Sequence, residues 1–340
     1  MRESDLSEED NISYEVFTAL EEIAEIASGW NSLLARSPCN RAFSCAQWFA
    51  ASCRLHQDVR PYVIVARREE RLAAILPLVL SNEETLASFP DEESDYNDLV
   101  AAPDDLTAMT GVLDHALTPG AGYRKLMLSR LRDDANCLRA ALNLNPARDL
   151  SVTYSVETSC PYIRLPSGYD EYLLTRSRSF RTSLGQAHRY AARHQLSICE
   201  LQPETFSAEC LAELFLALHL TRFGEHSSLS LPMAQAFVRE VVPPLFTDHR
   251  LRAFALYETE KIIAVSLCLV GTDSLCLWNG GFASGSERWS PGKLLISAGI
   301  RAACNSKLGE YDFLRGAEDY KSRWTREERE IGKLEFQIGH

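Results

Sequence analysis

A hairpin that occurs twice is the strongest constraint on how this chain folds. Residues 66–80 read ARREERLAAILPLVL and residues 256–270 read LYETEKIIAVSLCLV, and the two align without a gap at an offset of 190 residues. Each is strand, charged turn, strand. The turns are Arg68-Glu69-Glu70-Arg71 and Glu258-Thr259-Glu260-Lys261, flanked by apolar and β-branched runs. Hairpins resemble one another, so the elements downstream of each carry more weight. After the first come Asp95-Tyr96-Asn97-Asp98, a helical pattern from Asp104 to Leu117 and a strand from Lys125 to Leu128. After the second come an apolar run from Leu275 to Phe282, a helix from Pro291 to about Cys304 and a strand from Tyr311 to Leu314. Both halves read β-β-β-α-β, which predicts a duplicated α/β unit.

The 340 residues suit two domains. The expected division is an acidic disordered tail over 1–12, a first domain over 13–155 and a second over 156–340. Cys160-Pro161 near the boundary favours an extended connection. A helical insertion is expected over 169–247, ahead of the second hairpin.

Composition excludes several classes. No apolar run approaches the roughly 20 residues that span a bilayer. Met1 to Asp10 is acidic and has no apolar segment, so it does not read as a secretory signal. Ten scattered cysteines without a C-x-x-C pair read as reduced core thiols of a cytoplasmic protein, with no zinc site. A net charge of −12 repels polyanions, so nucleic acid would need a local basic patch. No Walker loop, H-E-x-x-H, G-x-S-x-G or EF-hand pattern is present.

The densest chemistry lies in Asp312-Phe313-Leu314-Arg315-Gly316-Ala317-Glu318-Asp319-Tyr320-Lys321-Ser322-Arg323-Trp324. Here Arg315, Lys321 and Arg323 balance Asp312, Glu318 and Asp319. A solvated charge run is usually one-signed or helix-periodic, and this one is neither. On residue types alone, a salt-bridged corner and a site at a strand end are equally good readings. The segment resembles the closing signature of the CelD-like branch of the GNAT acyltransferases, whose wider relatives include the FemAB-like aminoacyltransferases. Trp30, Leu33, Phe43 and Trp48, the Pro161–Leu165 stretch with the arginine-rich helix after it, Leu218-His219 with Arg222, and Ser290-Pro291-Gly292 fit the same branch in order. The resemblance covers about residues 30 to 324. It implies two tandem GNAT-like units, each a mixed β-sheet flanked by helices, the first degenerate and the second catalytic.

Candidate site residues come from both readings. Ser290 as N-cap, Pro291 and Gly292 open a helix whose free N–H groups at Gly292 and Lys293 suit a phosphate. The resemblance implies that the coenzyme A pyrophosphate sits there, although this loop has fewer glycines than the family's. Asn279-Gly280-Gly281 at a strand end is a turn or a bulge. The resemblance implies that it offers a backbone donor to a thioester carbonyl. A helix from Arg176 to His194 has five arginines and no acid, which suits an anionic ligand or docking against the protein's own acidic surface. Arg181 is its first candidate for the ligand. His219 is either a structural histidine or a general base. Tyr96 and Asp98 form a polar turn, and the resemblance implies that they hold the acceptor.

Together these readings suggest direct acyl transfer, with acetyl-CoA or another acyl-CoA as co-substrate, to a sugar, polysaccharide precursor or small amine. His219, Asp312 or Glu318 would be the base, and Lys321 and Arg323 would meet the oxyanion. Arg222, Arg315, Tyr320 and Trp324 would bind substrate. A Lys321→Ala change is expected to cut turnover while the fold stays intact. Aminoacyl-tRNA-dependent transfer and a non-catalytic assembly role are the alternatives, in a monomer or homodimer.

Overall fold

The computed structural model describes residues 12–37, 42–56, 58–81, 84–88, 94–118, 122–146, 150–316 and 318–338. The elements of the first half are β1 (Ile12–Phe17), α1 (Leu20–Leu34), α2 (Ala46–Leu55), β2 (Val59–Arg68), β3 (Arg71–Ser81), β4 (Thr85–Ala87), β5 (Val100–Ala101), α3 (Leu106–Ala116), β6 (Lys125–Arg132) and α4 (Asn136–Leu142). The second half has β7 (Ser151–Arg164), α5 (Tyr169–Leu174), α6 (Arg178–Arg193), β8 (Leu196–Leu201), α7 (Ala208–Phe223), α8 (Pro232–Thr247), β9 (Leu251–Glu258), β10 (Lys261–Val270), β11 (Ser274–Phe282), α9 (Pro291–Asn305), β12 (Glu310–Asp312), α10 (Asp319–Ser322) and β13 (Glu327–Gln337).

The chain forms two compact units, one of residues 1–157 with 331–340 and the other of residues 158–330. The last strand therefore departs from the expected 156–340 domain. Ile331–Gln337 of β13 runs antiparallel to β6 and completes the first unit's sheet. Of the expected tail, residues 1–11 lie outside the described residues, and Ile12 opens β1.

The duplication is visible in the pairing of each sheet. In the first unit β1–β2 and β2–β3 are antiparallel, β3–β4 antiparallel and β4–β6 parallel. In the second unit β8–β9, β9–β10, β10–β11 and β11–β12 repeat that series. Each parallel pair is joined through a helix, α3 or α9, as a parallel connection requires. The irregularities match as well. The hairpin ladder skips Ala73 in one unit and Ile263 in the other, and both turns place a non-glycine residue at positive φ, Glu69 at 56° and Thr259 at 55°. These positions are 190 residues apart, so even the register faults are copied.

Long apolar runs in the paired hairpins are buried on both faces. Val63–Ala66 and Ala73–Leu76 pack in the first unit, and Ala253–Leu256 and Ile263–Leu269 in the second, as expected of strands covered by helices on either side. The expected helical insertion 169–247 is not wholly helical. Residues 196–201 form β8, which pairs with β9 at the sheet's edge. Its alternating exposure from Leu196 to Glu200, with Leu196 and Ile198 turned inward, is a strand's period of two. No helix among the described residues is long and apolar enough to cross a membrane.

Candidate active site

In the second unit, β11 parts from its neighbour halfway along. It pairs in parallel with β12 over Ser274, Leu275 and Cys276 only. On its other edge the ladder with β10 jumps from Leu277 to Asn279, leaving Trp278 as a bulge. The expected strand-end feature at Asn279-Gly280-Gly281 is thus this bulge and the glycine pair after it. A strand residue points its N–H and C=O to the same edge. The Gly280 N–H donates to Asn279 Oδ1 at 2.8 Å, and its carbonyl lies 3.2 Å from His219 Nδ1. Neither group is spent on β10, so both face the gap that opens beyond Cys276.

Gly281 lets helix α7 reach this gap. A Cβ at Gly281 would lie 2.3 Å from the His219 nitrogen and 2.5 Å from the Leu218 carbonyl carbon, so only glycine permits the approach. His219 is buried, flanked by Phe215 and by Phe223 at 4.6 Å between ring centroids, and its Nε2 lies 2.7 Å from Ser227 Oγ. Burial pushes its pKa below the ordinary value; the Gly280 carbonyl and Asn279 oppose that shift, and Arg222 adds to it. The guanidinium of Arg222 is held between the rings of Phe223 and Phe282, at 4.4 and 4.5 Å from their centroids. Burial also pushes the Tyr320 phenol up to about 12, with Glu318 adding and Arg222 opposing.

A second feature lies at the start of α9. A cavity of about 490 Å³ is bounded by α6 on one side and by Trp289, Ser290 and Lys293 on the other, with Arg189, Arg193, Arg288 and Lys293 among its walls. The helix begins correctly with Pro291 at its first position. Ser290 does stand at the N-cap, but in the left-handed region at φ 53°, and its hydroxyl caps no backbone N–H. The first-turn N–H groups are thus left to a ligand or solvent. At Gly292 a Cβ would meet nothing within 4 Å. Helix α6 is shorter than the expected 176–194 and starts on a working cap, Ser177 accepting from the Phe180 N–H. It is tied to α9 by Lys293 to Ser183 and by His188 to Ser297. Among the described residues no ion pair joins Arg178, Arg181, Arg189 or Arg193 to an acidic side chain. That favours a ligand over self-docking as the reason for the basic helix. Arg181, the first candidate, is half-buried and does not line the cavity; Arg189 and Arg193, two and three turns further on, do.

The charged segment 312–324 is organised inward. Lys321 is 3% exposed, and its ammonium donates to the carbonyls of Leu314, Arg315 and Gly316 at 3.4, 2.6 and 3.3 Å and pairs with Glu318 at 2.8 Å. Asp312 is fully buried and accepts the Leu314 N–H at 2.7 Å. Between them they hold Leu314 at φ 59°, a left-handed conformation costly for a leucine, and Gly316 at φ 112°. Lys321 is therefore not free to meet an oxyanion, and Asp312 is not placed to take a proton from an acceptor. Trp324 is also a core residue. It packs edge-on against Phe180 at 4.9 Å, and its carbonyl accepts from Tyr172 and Arg176. Glu318, Arg323 and Tyr320 reach the surface, and Arg315 is half-buried on the loop that Lys321 secures.

Tyr96 and Asp98 belong to the first unit. Asp98 accepts the N–H groups of Leu99, Asn136 and Cys137 at 2.7–2.8 Å, which caps α4. Its carboxylate is taken up by the fold. Tyr96 is buried against Phe43 and beneath the Arg132 guanidinium. A cavity beside these residues, walled by Trp30, Phe43, Trp48 and Phe49, has about 20 Å³, room for one water. Among the described residues no group of three or more His, Cys, Asp or Glu side chains is gathered as a metal site.

Residues 178–322 match a protein-family model described as Acetyltransferase (GNAT) domain. The matched stretch runs from α6 to α10 and contains the bulged strand, His219 and the cavity. The match supports an acyltransferase domain of the GNAT type over that stretch. No curated protein matches the chain. Among solved structures, FemX is similar at 11% identity, with 94% of this chain and 96% of that one covered and a TM-score of 0.63. L-PGS from Bacillus licheniformis is similar at 11% identity, with 92% of each chain covered and a TM-score of 0.61. At these identities the likeness is one of fold, and it extends over both units.

Proposed function

We propose that the second unit transfers an acyl group, acetyl in the simplest case, directly from acyl-CoA to an amine or hydroxyl of a sugar, polysaccharide precursor or small amine. The observation that carries this reading is the cavity at the head of α9. Four cationic side chains and the positive end of a fifteen-residue helix converge on it, the combination that suits a pyrophosphate. Lys293, Arg189, Arg193 and Arg288 would hold the donor's phosphates. The gap beside β11 would take the thioester. The Gly280 N–H is a ready donor for the carbonyl, with the Asn279 amide oxygen holding its place until the thioester displaces it. His219 would be the base. Arg222 and Tyr320, close to its helix, would meet an anionic or hydroxylated acceptor. The motif from Asp312 to Trp324 supports the CelD-like branch within this family.

Aminoacyl transfer from a tRNA is the second reading. The unpaired arginines of α6 favour it, as does the fold shared with FemX. The −12 net charge weighs against it. Thiol release from acetyl-CoA that continues after RNase treatment would decide for the first reading.

The pH profile tests the base. Because burial depresses the His219 pKa, its neutral, proton-accepting form persists below pH 6.5. The rate of thiol release is expected to be flat from about pH 7 to 8 and to fall only as pH drops through a value under 6.5. The contribution of neutral His219 to stability has the same sign, present above 6.5 and lost on acidification. A profile that rises steeply above about pH 8 would assign the proton to another group.

A further inference from the structure

No acceptor can touch the base directly. His219 is 5% exposed and both ring nitrogens are engaged. The Gly280 carbonyl can only accept, so the ring hydrogen sits on Nδ1 and the lone pair on Nε2. The hydroxyl of Ser227 therefore donates to Nε2, at 2.7 Å. Ser227 is half-buried in the turn after α7 and covers that nitrogen from outside. Its oxygen also accepts the Leu229 N–H at 3.1 Å, which fixes the rotamer and leaves a lone pair for a third partner. The Gly280 N–H that would meet a thioester faces the same gap as the carbonyl that orients His219.

We propose that Ser227 is a catalytic residue, taking the acceptor's proton and relaying it to His219. The proposal deepens the reading above and rests on His219 as the base. In the step, the acceptor O–H or N–H proton passes to Ser227 Oγ as the Ser227 proton passes to His219 Nε2. The freed acceptor lone pair forms the bond to the thioester carbon. When the tetrahedral oxyanion collapses the C–S bond breaks, and the thiolate takes the proton back from the imidazolium by the same route. Ser227 forms no bond to carbon.

The test uses the full chain with acetyl-CoA as donor and hydroxylamine as a small acceptor, monitoring hydroxamate and free thiol. Ser227→Ala is expected to lower kcat by about 100-fold, the scale of a lost proton-transfer group, with the acetyl-CoA Kd unchanged. Ser227→Thr keeps the hydroxyl and is expected to recover most of the rate, whereas Ser227→Asn keeps an oxygen for the Leu229 N–H but has no hydroxyl and is expected to stay as slow as Ser227→Ala, which separates the relay from turn capping. Wild-type kcat in Ser227→Ala would overturn the relay. An acetyl group found on Ser227 by mass spectrometry would overturn it too, making the serine a nucleophile. A donor-free measurement stands beside these. Nitrogen NMR of labelled histidine should show His219 as the Nδ1–H tautomer at neutral pH, with an Nε2 signal that moves in Ser227→Ala. The opposite tautomer breaks the relay whatever the donor. The expected tautomer in a protein that releases no thiol from acetyl-CoA would instead overturn the acyl-CoA reading, and the serine–histidine pair would stand.

Discussion

A Gly281→Val protein is expected to lose about 100-fold or more in thiol release, the scale of a roughly 1 Å misplacement of reacting groups. It is also expected to melt well below the wild type. The first atom of any side chain at this position would lie 2.3 Å from the His219 nitrogen and 2.5 Å from the Leu218 carbonyl carbon. Both are backbone atoms of a packed helix, so no side-chain rotation relieves the clash. Overpacking of this kind costs roughly 3 kcal/mol, which for a unit of this size lowers the melting temperature by about 6–12 °C. The activity loss has a separate source. If α7 moves off β11, His219 leaves the Gly280 carbonyl and loses the bond that sets its tautomer. Gly168→Ala is the control, because that residue lies outside the site in ordinary extended backbone and a methyl there meets nothing within 4 Å. Thermal melts and thiol release on the two variants check this. A Gly281→Val protein with wild-type activity would separate α7 from the reaction.

Lys321→Ala is expected to destabilise the second unit by roughly 3 kcal/mol, because three carbonyls and a carboxylate lose their shared cation. Glu318 is more than half exposed, and its share is small. Most of the effect comes from the carbonyls of Leu314, Arg315 and Gly316. Lys321→Met, which keeps the volume and loses the bonds, is expected to behave alike. This reverses the reading from sequence, in which the lysine acts in the chemistry and its removal leaves the fold intact. A variant that melts like the wild type but has lost its activity would restore that reading.

The two halves of this outcome show what a sequence carries. The repeat was legible to the residue, because continuous apolar runs and a charged turn are local and were copied with their faults, Ala73 with Ile263 and Glu69 with Thr259. The helix at Pro291 and the basic character of α6 were legible for the same reason. Strand β8 was not, because Leu196–Leu201 is six residues at an edge, between helices whose pattern swamps it. The direction of Lys321 was not legible either. A lysine five to seven residues past a turn can point to solvent or fold back, and only the left-handed Leu314 and the carbonyls it exposes decide. Ser227 carried no signal at all. It stands eight residues from His219, and a turn of unknown shape had to bring the two together. Asp98 and Trp324 were read as binding residues from their places in a family pattern, while the structure employs one as a helix cap and the other in the core.

The most direct measurement is calorimetric titration of acetyl-CoA into the wild-type chain and into an Arg193→Glu/Lys293→Glu double variant. Glutamate in the first turn of α9 favours that helix's dipole, while glutamate in the last turn of α6 opposes the other and the Lys293–Ser183 bond is lost, so the fold should hold with a modest drop in melting temperature. The wild type is expected to bind, and the double variant to lose at least about 100-fold in affinity as two attractive charges become repulsive beside the donor's phosphates. Equal binding by the two proteins, or no binding by the wild type at millimolar donor, would contradict the assignment of the cavity at the head of α9.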